Sequence, residues 1–352
     1  MNTRHRPSVT DVARVAGVSV GTVSNVLNRP DRVSESTRAR VEAAIADLQF
    51  VRSATARQLR VGVAQSVGAI VLDVGNPFFT SVTRGIEDRI ATDDLALMVS
   101  SSDDDPRRES HFLALYEQHA VQGILVTPSG DDLSDIRAIR DRGTPVVLLD
   151  ASAPDLPSVW MDNVRGGSLA VGHLLELGHR RITMVNGPTT ISQCVQRWTG
   201  ARQAVEVAGL EPDQVLTEHR ISALTDSAGE EAAHAILALP AEQRPTAVFC
   251  VNDLVALGLL RTLLRFGVSV PESIAVVGYD DIAFASMLMV PLTTVRQPTH
   301  DIGWTAANLL LELRENPSST PPQVQFEPEL VVRLSSDATA IPGGVAIPGG
   351  PA

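Results

Sequence analysis

Polar and aromatic residues recur at the ends of apolar runs between residues 70 and 300 of this 352-residue chain. Asn76-Pro77-Phe78-Phe79 follows GAIVLDV. Asp150 ends PVVLLD, Asn252 ends TAVFCVN with Asp253 next, and Asp280 ends IAVVGYD with Asp281 next. Arg197 precedes Trp198 in QRWTGARQA, and Gln297 ends TTVRQ. Carboxylates accept from adjacent hydroxyls, guanidinium and amide groups donate, and an aromatic face covers the C–H face of a sugar ring, so the set suits a polyol. Asn76 can cap a helix that has Pro77 at its first position, turning Phe78 and Phe79 toward a crevice. The same residues admit plainer roles. Asn76 and Asn252 serve equally as caps, Phe79 as core, and Asp253 and Asp281 read better as cap or loop residues. Trp160 and Trp198 fit a pocket wall or a dimer surface.

A second set sits near the start. Val20, Gly21, Thr22 and Asn25 fall at the exposed beginning of a short helix, where Val20 suits a thymine methyl and Asn25 suits adenine. Thr10, Ser19, Ser24 and Asn28 are short donors suited to phosphates, which set register and not sequence. Ten arginines against five acids give residues 1–61 a charge of +5, while the whole chain carries −12, leaving −17 for the rest. A basic head on an acidic body points to a polyanion partner for the head.

Catalytic readings are weaker. Gly17-Val18-Ser19-Val20-Gly21 matches G-x-S-x-G, but a nucleophile elbow needs a strand before it, and the preceding segment reads as helix. No phosphate-binding glycine loop and no H-E-x-x-H spacing occurs. His173 and His179 read as helix-face and loop residues. The two cysteines, Cys194 and Cys250, suggest neither a disulfide framework nor a thiolate metal site. No enzyme, cofactor or metal is expected. The first residues lack an apolar signal region and no run is long enough to span a membrane, so the cytoplasm is expected. The core alone would also suit a transport-type binding protein, and the basic head argues against that.

The elements that must position these residues follow from periodicity. Thr10 can cap a first helix that carries Val12, Ala13 and Ala16. Gly17 opens a turn, and Ser19 caps a second helix with Val23, Val26 and Leu27 inward. Ser34 can cap a third, with the stripe Val41, Ala44, Ile45, Leu48. The pair of helices across a glycine turn has the form of a helix-turn-helix. Residues 52–60 read as a polar linker helix with one exposed leucine. From residue 66, continuous Val/Ile/Leu runs alternate with amphipathic helices, and the series appears twice. That is the pattern of two doubly wound parallel sheets, whose ligands bind outside the carboxyl ends of the strands.

TDVARVAGVSVGTVSNVLNRPDRVSESTRARVEAAIADLQF closely resembles the headpiece of the lac repressor/gal repressor family, and the likeness continues through linker and lobes to about residue 334. The resemblance implies an α/β protein with an all-α helix-turn-helix headpiece (1–51), a hinge helix (52–61) and a two-lobed, periplasmic-binding-protein-like core (62–335). It implies an N-lobe of about 62–161 and 292–322, a C-lobe of about 162–291 and 323–335, and a disordered tail over 336–352. It assigns Asp150, Arg197, Asn252, Asp280 and Gln297 to effector contacts, with Phe78 and Phe79 packing on the ligand and Asn76 beside them. In Ala56-Arg57-Gln58-Leu59, it makes Leu59 a wedge for the minor groove that kinks the DNA. Two departures stand out: the family usually has arginine at the place of Asn25 and proline-asparagine at the place of Arg52-Ser53. The implied protein is a homodimeric regulator, expected to repress, binding a near-palindromic operator and a small polar effector, expected to be a sugar. Induction and co-repression both remain open, as does activation. The tail lacks apolar heptads, so no tetramer is expected by that route.

Overall fold

The computed structural model describes residues 7–50, 64–316 and 320–340. It divides into two units, one ending at Ala64 and one beginning at Gln65. The expected hinge helix, with Ala56 and Leu59, and the tail beyond 340 lie outside the described residues.

The first unit holds α1 (Val9–Ala16), α2 (Val20–Asn28) and α3 (Glu35–Asp47). Val12, Ala13, Ala16, Val23, Val26, Val41 and Ala44 form its core, with Leu27, Ile45 and Leu48 packed half-buried against it. Two expected caps need correction. Ser8, not Thr10, caps α1: its hydroxyl accepts the Asp11 amide at 3.3 Å, while Asp11 Oδ2 accepts the Ser8 amide at 3.0 Å. This reciprocal pair satisfies two amides that the helix leaves open. Ser34 occupies the N-cap position of α3, but its hydroxyl donates to Thr37 Oγ1 at 2.9 Å and caps no amide. Gly17 takes φ +62°, the left-handed geometry that ends α1 at little cost for a residue without Cβ.

The second unit holds two six-stranded sheets. Its elements in chain order are β1 (Ser66–Val71), α4 (Pro77–Ala91), β2 (Ala96–Ser101), α5 (Pro106–Gln118), β3 (Ile124–Val126), α6 (Ser134–Asp141), β4 (Val146–Leu149), β5 (Ser158–Met161), α7 (Asn163–Glu176), β6 (Ile182–Asn186), α8 (Ser192–Val207), α9 (Pro212–Val215), β7 (Leu216–Arg220), α10 (Asp226–Ala238), β8 (Ala247–Cys250), α11 (Asp253–Arg265), β9 (Ala275–Asp280), β10 (Thr293–Arg296), α12 (Thr299–Glu315), β11 (Gln323–Phe326) and β12 (Glu329–Val331). The first sheet runs β11-β5-β4-β3-β1-β2 and the second β12-β10-β9-β8-β6-β7. All pairings are parallel except β10 with β12, an antiparallel edge that the reading of two purely parallel sheets did not contain.

The expected lobe boundaries also shift. β10, expected in the first lobe, pairs with β9 in the second, and β11, expected in the second, pairs with β5 in the first. The chain therefore crosses between lobes near residues 162, 298 and 328. Short edge strands carry little sequence signal, and only pairing decides which sheet takes them. The tail also begins later than expected. Ser336 is buried, its hydroxyl 2.7 Å from that of Thr293 and 2.8 Å from His173 Nε2.

Both faces of the first sheet are buried, Val67, Ala69 and Val71 on one and Ile70, Ile124 and Leu148 on the other. Helices approach one another through reciprocal glycines. A Cβ on Gly85 would lie 2.0 Å from the His300 carbonyl of α12, and one on Gly303 would lie 2.0 Å from that of Val82 in α4. Gly167 and Gly200 do the same for α7 and α8, and Gly229 and Gly258 for α10 and α11. Each lobe thus has its helices seated backbone against backbone. This fixes where the helix N-termini stand at the carboxyl edges of the strands.

Candidate functional site: a DNA-reading face and an interlobe cleft

In the first unit, α2 turns Val23 and Val26 inward and leaves Val20, Gly21, Asn25 and Asn28 exposed, with Thr22 and Ser24 at the margin. Ser19 caps the helix, its Oγ accepting the Thr22 amide at 3.1 Å. That bond gives Ser19 of the G-x-S-x-G match a structural role between two helices. Asn28 directs its amide back to the Ser24 carbonyl at 2.6 Å. Thr10 is exposed on the first turn of α1. The exposed N-terminal end of a short, well-capped helix is a shape that enters the major groove.

In the second unit, eight residues singled out from the sequence converge on one cavity of ≈ 40 Å³: Asn76, Phe78, Phe79, Asp150, Arg197, Asn252, Asp280 and Gln297. Each comes from the end of a strand or the first turns of the helix that follows. Asn76 Oδ1 accepts the Phe78 amide at 3.0 Å, and Asn252 Oδ1 accepts that of Val255 at 2.9 Å, so both are caps as well as lining. Phe78 and Phe79 meet edge to face, with ring centres 4.9 Å apart.

Arg197 is the cation of the cavity. Its Nε donates to Asn163 Oδ1 at 2.9 Å and its Nη1 to the Val251 carbonyl at 2.6 Å, and its guanidinium lies 3.5 Å from the centre of the Tyr279 ring. Asp280 Oδ1 is 4.0 Å from Nη1 and accepts Gln297 Nε2 at 2.8 Å. Burial holds both cleft carboxyls above the usual range, Asp150 at about 6 and Asp280 at about 7, against the opposing pull of Arg197. Their backbones take positive φ, 53° at Asp150 and 116° at Asp280. The second value lies outside the left-handed well that aspartate tolerates, so it carries strain of the kind found at binding sites.

Sequence reasoning missed Gln193. Its Nε2 reaches from α8 of the second lobe to the first, donating to the Asp150 carbonyl at 2.6 Å and to Asp150 Oδ2 at 3.0 Å. The signal was present: Gln193 stands four residues before Arg197, on the same helix face. Asn163, which orients Arg197, carried no comparable signal. Asp253 lies behind the cavity as a clamp, accepting Ile282 N–H and the Thr294 hydroxyl. Trp198 packs half-buried against the core of the second lobe.

The wider cleft continues into a mouth of ≈ 450 Å³ lined by Asp73, Asp103, Asp104, Ser222 and Thr225, among others. Among the described residues no group of three or more His, Cys, Asp or Glu is arranged to hold a metal ion.

Comparison with known proteins covers both units. Residues 8–53 match the family described as bacterial regulatory proteins, lacI family, and residues 171–336 match a periplasmic binding protein-like domain. The HTH-type transcriptional repressor PurR of Photobacterium profundum is 33% identical over 337 residues, covering 93% of this chain and 98% of that protein. The lac repressor dimer bound to operator and the anti-inducer ONPF superposes with a TM-score of 0.81 at 26% identity, covering 94% of this chain and 99% of that one. A LacI family regulator from Enterococcus faecium, solved with bound ribose, gives a TM-score of 0.71 at 29% identity, covering 77% of this chain and 98% of that one.

Proposed function

The chain belongs to the LacI family of bacterial regulatory proteins, and from that premise we propose that it is a DNA-binding transcriptional repressor whose operator affinity is set by a sugar held between the two lobes of its core. The convergence of eight strand-end residues on one interlobe cavity carries this reading. Arg197, Asp150, Asp280 and Gln297 contact the effector, and Phe78 and Phe79 pack on its ring. Asn76 and Asn252 hold the helix starts that bring these groups together.

Val20, Gly21, Thr22 and Asn25 meet base edges in the major groove, and Thr10, Ser19, Ser24 and Asn28 meet the backbone. Ala56 and Leu59 of the hinge enter the minor groove. Two copies bind a near-palindrome, one head to each half-site. The surface that carries Phe284, Met287 and Met289, left 54%, 75% and 91% exposed, is a face for the second copy. The protein works in the cytoplasm and catalyses no reaction. No helix among the described residues is long and apolar enough to cross a membrane.

The effector shifts the balance between two lobe arrangements by its difference in affinity for them, and operator affinity follows. The test is fluorescence anisotropy of duplexes selected from random sequence, titrated with the full chain at several salt concentrations. Tight, salt-steep binding by a dimer is expected. A chain that left every duplex unbound at low salt would refute the reading.

A further inference from the structure

The unpaired atoms of the cleft define what chemistry can fill it, and the inference rests on the reading of the core as a sensor. Asp150 Oδ1 and Gln297 Oε1 line the cavity, are buried, and have no hydrogen-bond partner. Asp104 Oδ1 at the adjoining mouth is in the same condition. A carboxylate or amide oxygen can only accept, so all three lack a donor. Buried polar groups are nearly always paired, and an orphan of this kind marks a place where a partner arrives.

The donors nearby are already engaged. Gln193 Nε2 serves Asp150, Gln297 Nε2 serves Asp280, Asn252 Nδ2 serves the Leu224 carbonyl, and Arg197 serves Asn163 and Val251. Charge points the same way. Asp150 and Asp280 in the cavity, with Asp73, Asp103 and Asp104 at its mouth, face Arg197, the one cation among the residues lining either. Asp103 and Asp104 repeat the positive φ of Asp150, at 52° and 55°, so the chain bends to present them at strand β2's carboxyl end.

We propose that the effector is an uncharged, hydroxyl-rich ring compound bound chiefly as a hydrogen-bond donor, that Asp104 is a further specificity residue at the entrance, and that the cleft rejects phosphate esters, sugar acids and purine bases. A phosphate or carboxylate sets lone pairs and negative charge against an acceptor-lined wall. A purine offers ring-nitrogen acceptors to the same oxygens. Vicinal hydroxyls donate to Asp150 Oδ1 and Gln297 Oε1 together and keep oxygens available for Arg197.

The test is isothermal titration of the full chain at pH 7.5 with D-ribose, D-xylose, D-glucose, D-galactose and cellobiose, then with ribose 5-phosphate, glucose 6-phosphate, gluconate and hypoxanthine. At least one neutral sugar binds, and the phosphate or acid derivative of a sugar that binds is weaker by 100-fold or more. Asp104→Asn weakens that sugar about tenfold and Gln297→Leu by tenfold or more. The melting temperature of each unliganded variant is recorded so that lost binding is separated from lost folding. If an ester, gluconate or hypoxanthine binds as tightly as any neutral sugar, the donor-only cleft is wrong and the sensor stands. If no compound of any class binds, both the proposal and the sensor reading fall. If Asp104→Asn leaves affinity unchanged, the role of Asp104 is overturned.

Discussion

Asp253 Oδ2 accepts the backbone N–H of Ile282 at 2.9 Å, from the first turn of α11 to the loop after β9. Its other oxygen accepts the Thr294 hydroxyl at 2.6 Å. Gly278 makes room for this, since a Cβ there would lie 2.1 Å from Asp253 Oδ1. The loop so pinned begins at Asp280, which faces the cavity, and leads to Phe284, which faces outward. One buried carboxyl thus ties the position of an effector-facing side chain to an outer surface of the core.

Removing that tie should be costly. Asp253→Ala leaves the Ile282 amide and the Thr294 hydroxyl without their partner, at about 1–3 kcal/mol for each buried group left unsatisfied. Urea unfolding of the variant should show the loss, with Asp253→Asn intermediate because its carbonyl still accepts one bond. Wild-type stability in Asp253→Ala would show that the clamp does not hold the loop.

The helix seats make a paired prediction. Gly200→Ala places a methyl 1.8 Å from the Val164 carbonyl, so α7 and α8 must part, and destabilisation of about 1–3 kcal/mol or more is expected. Gly172→Ala lies in α7 with nothing within 4 Å of the new Cβ. It should stabilise by about 0.5–1 kcal/mol through helix propensity alone. Opposite shifts in denaturation midpoint are the expected result, and equal shifts would count against backbone seating.

The cleft carboxyls give a pH signature. Burial raises Asp150 to about 6 and Asp280 to about 7 in the folded chain, well above the ordinary 3.8. Between about pH 4 and 7 the folded state therefore holds protons that the unfolded state has released. Stability must then fall as pH rises through that window, with the full benefit present only below it. Asp150→Asn abolishes its share, so the stability of the variant relative to wild type should rise from pH 4.5 to 7.5. Reading the difference cancels the other carboxylates. A flat difference would mean that Asp150 titrates normally.

The headpiece separates capping from DNA contact. Ser8→Ala removes the cap of α1 and should cost about 0.5–2 kcal/mol of headpiece stability. Thr10→Ala leaves that cap intact, so its melting curve should match wild type while DNA affinity drops about equally for all sequences, as expected of a phosphate contact. The two melting curves, set beside the two binding curves, decide which threonine or serine does what. A destabilised Thr10→Ala would return the cap to Thr10.

Much of the site was legible because strand ends and helix starts carry their own signals. Asn76-Pro77 reads as a cap followed by a first-turn proline, and the cap is there. Asp150 and Asp280 stand at the ends of apolar runs, and both face the cavity. Gly17 and Ser19 mark the turn and cap of the reading helix by local backbone chemistry alone. Other residues were hidden because their roles depend on partners far away in the chain. Gln193 matters through a carbonyl 43 residues distant, and Asp104 through an unpaired oxygen that only burial reveals.

Local physics determined the kinds of element in this chain: caps, turns, periodic helices and buried strands follow from residue types within a few positions of one another. It also placed the polar residues at strand ends, because parallel sheets bury their middles and expose their carboxyl edges. Tertiary structure alone decided which sheet received the edge strands β10 and β11, how closely the helices seat through paired glycines, and which cleft atoms found partners. Those outcomes depend on pairing and desolvation between segments remote in sequence, and no window of neighbouring residues contains that information.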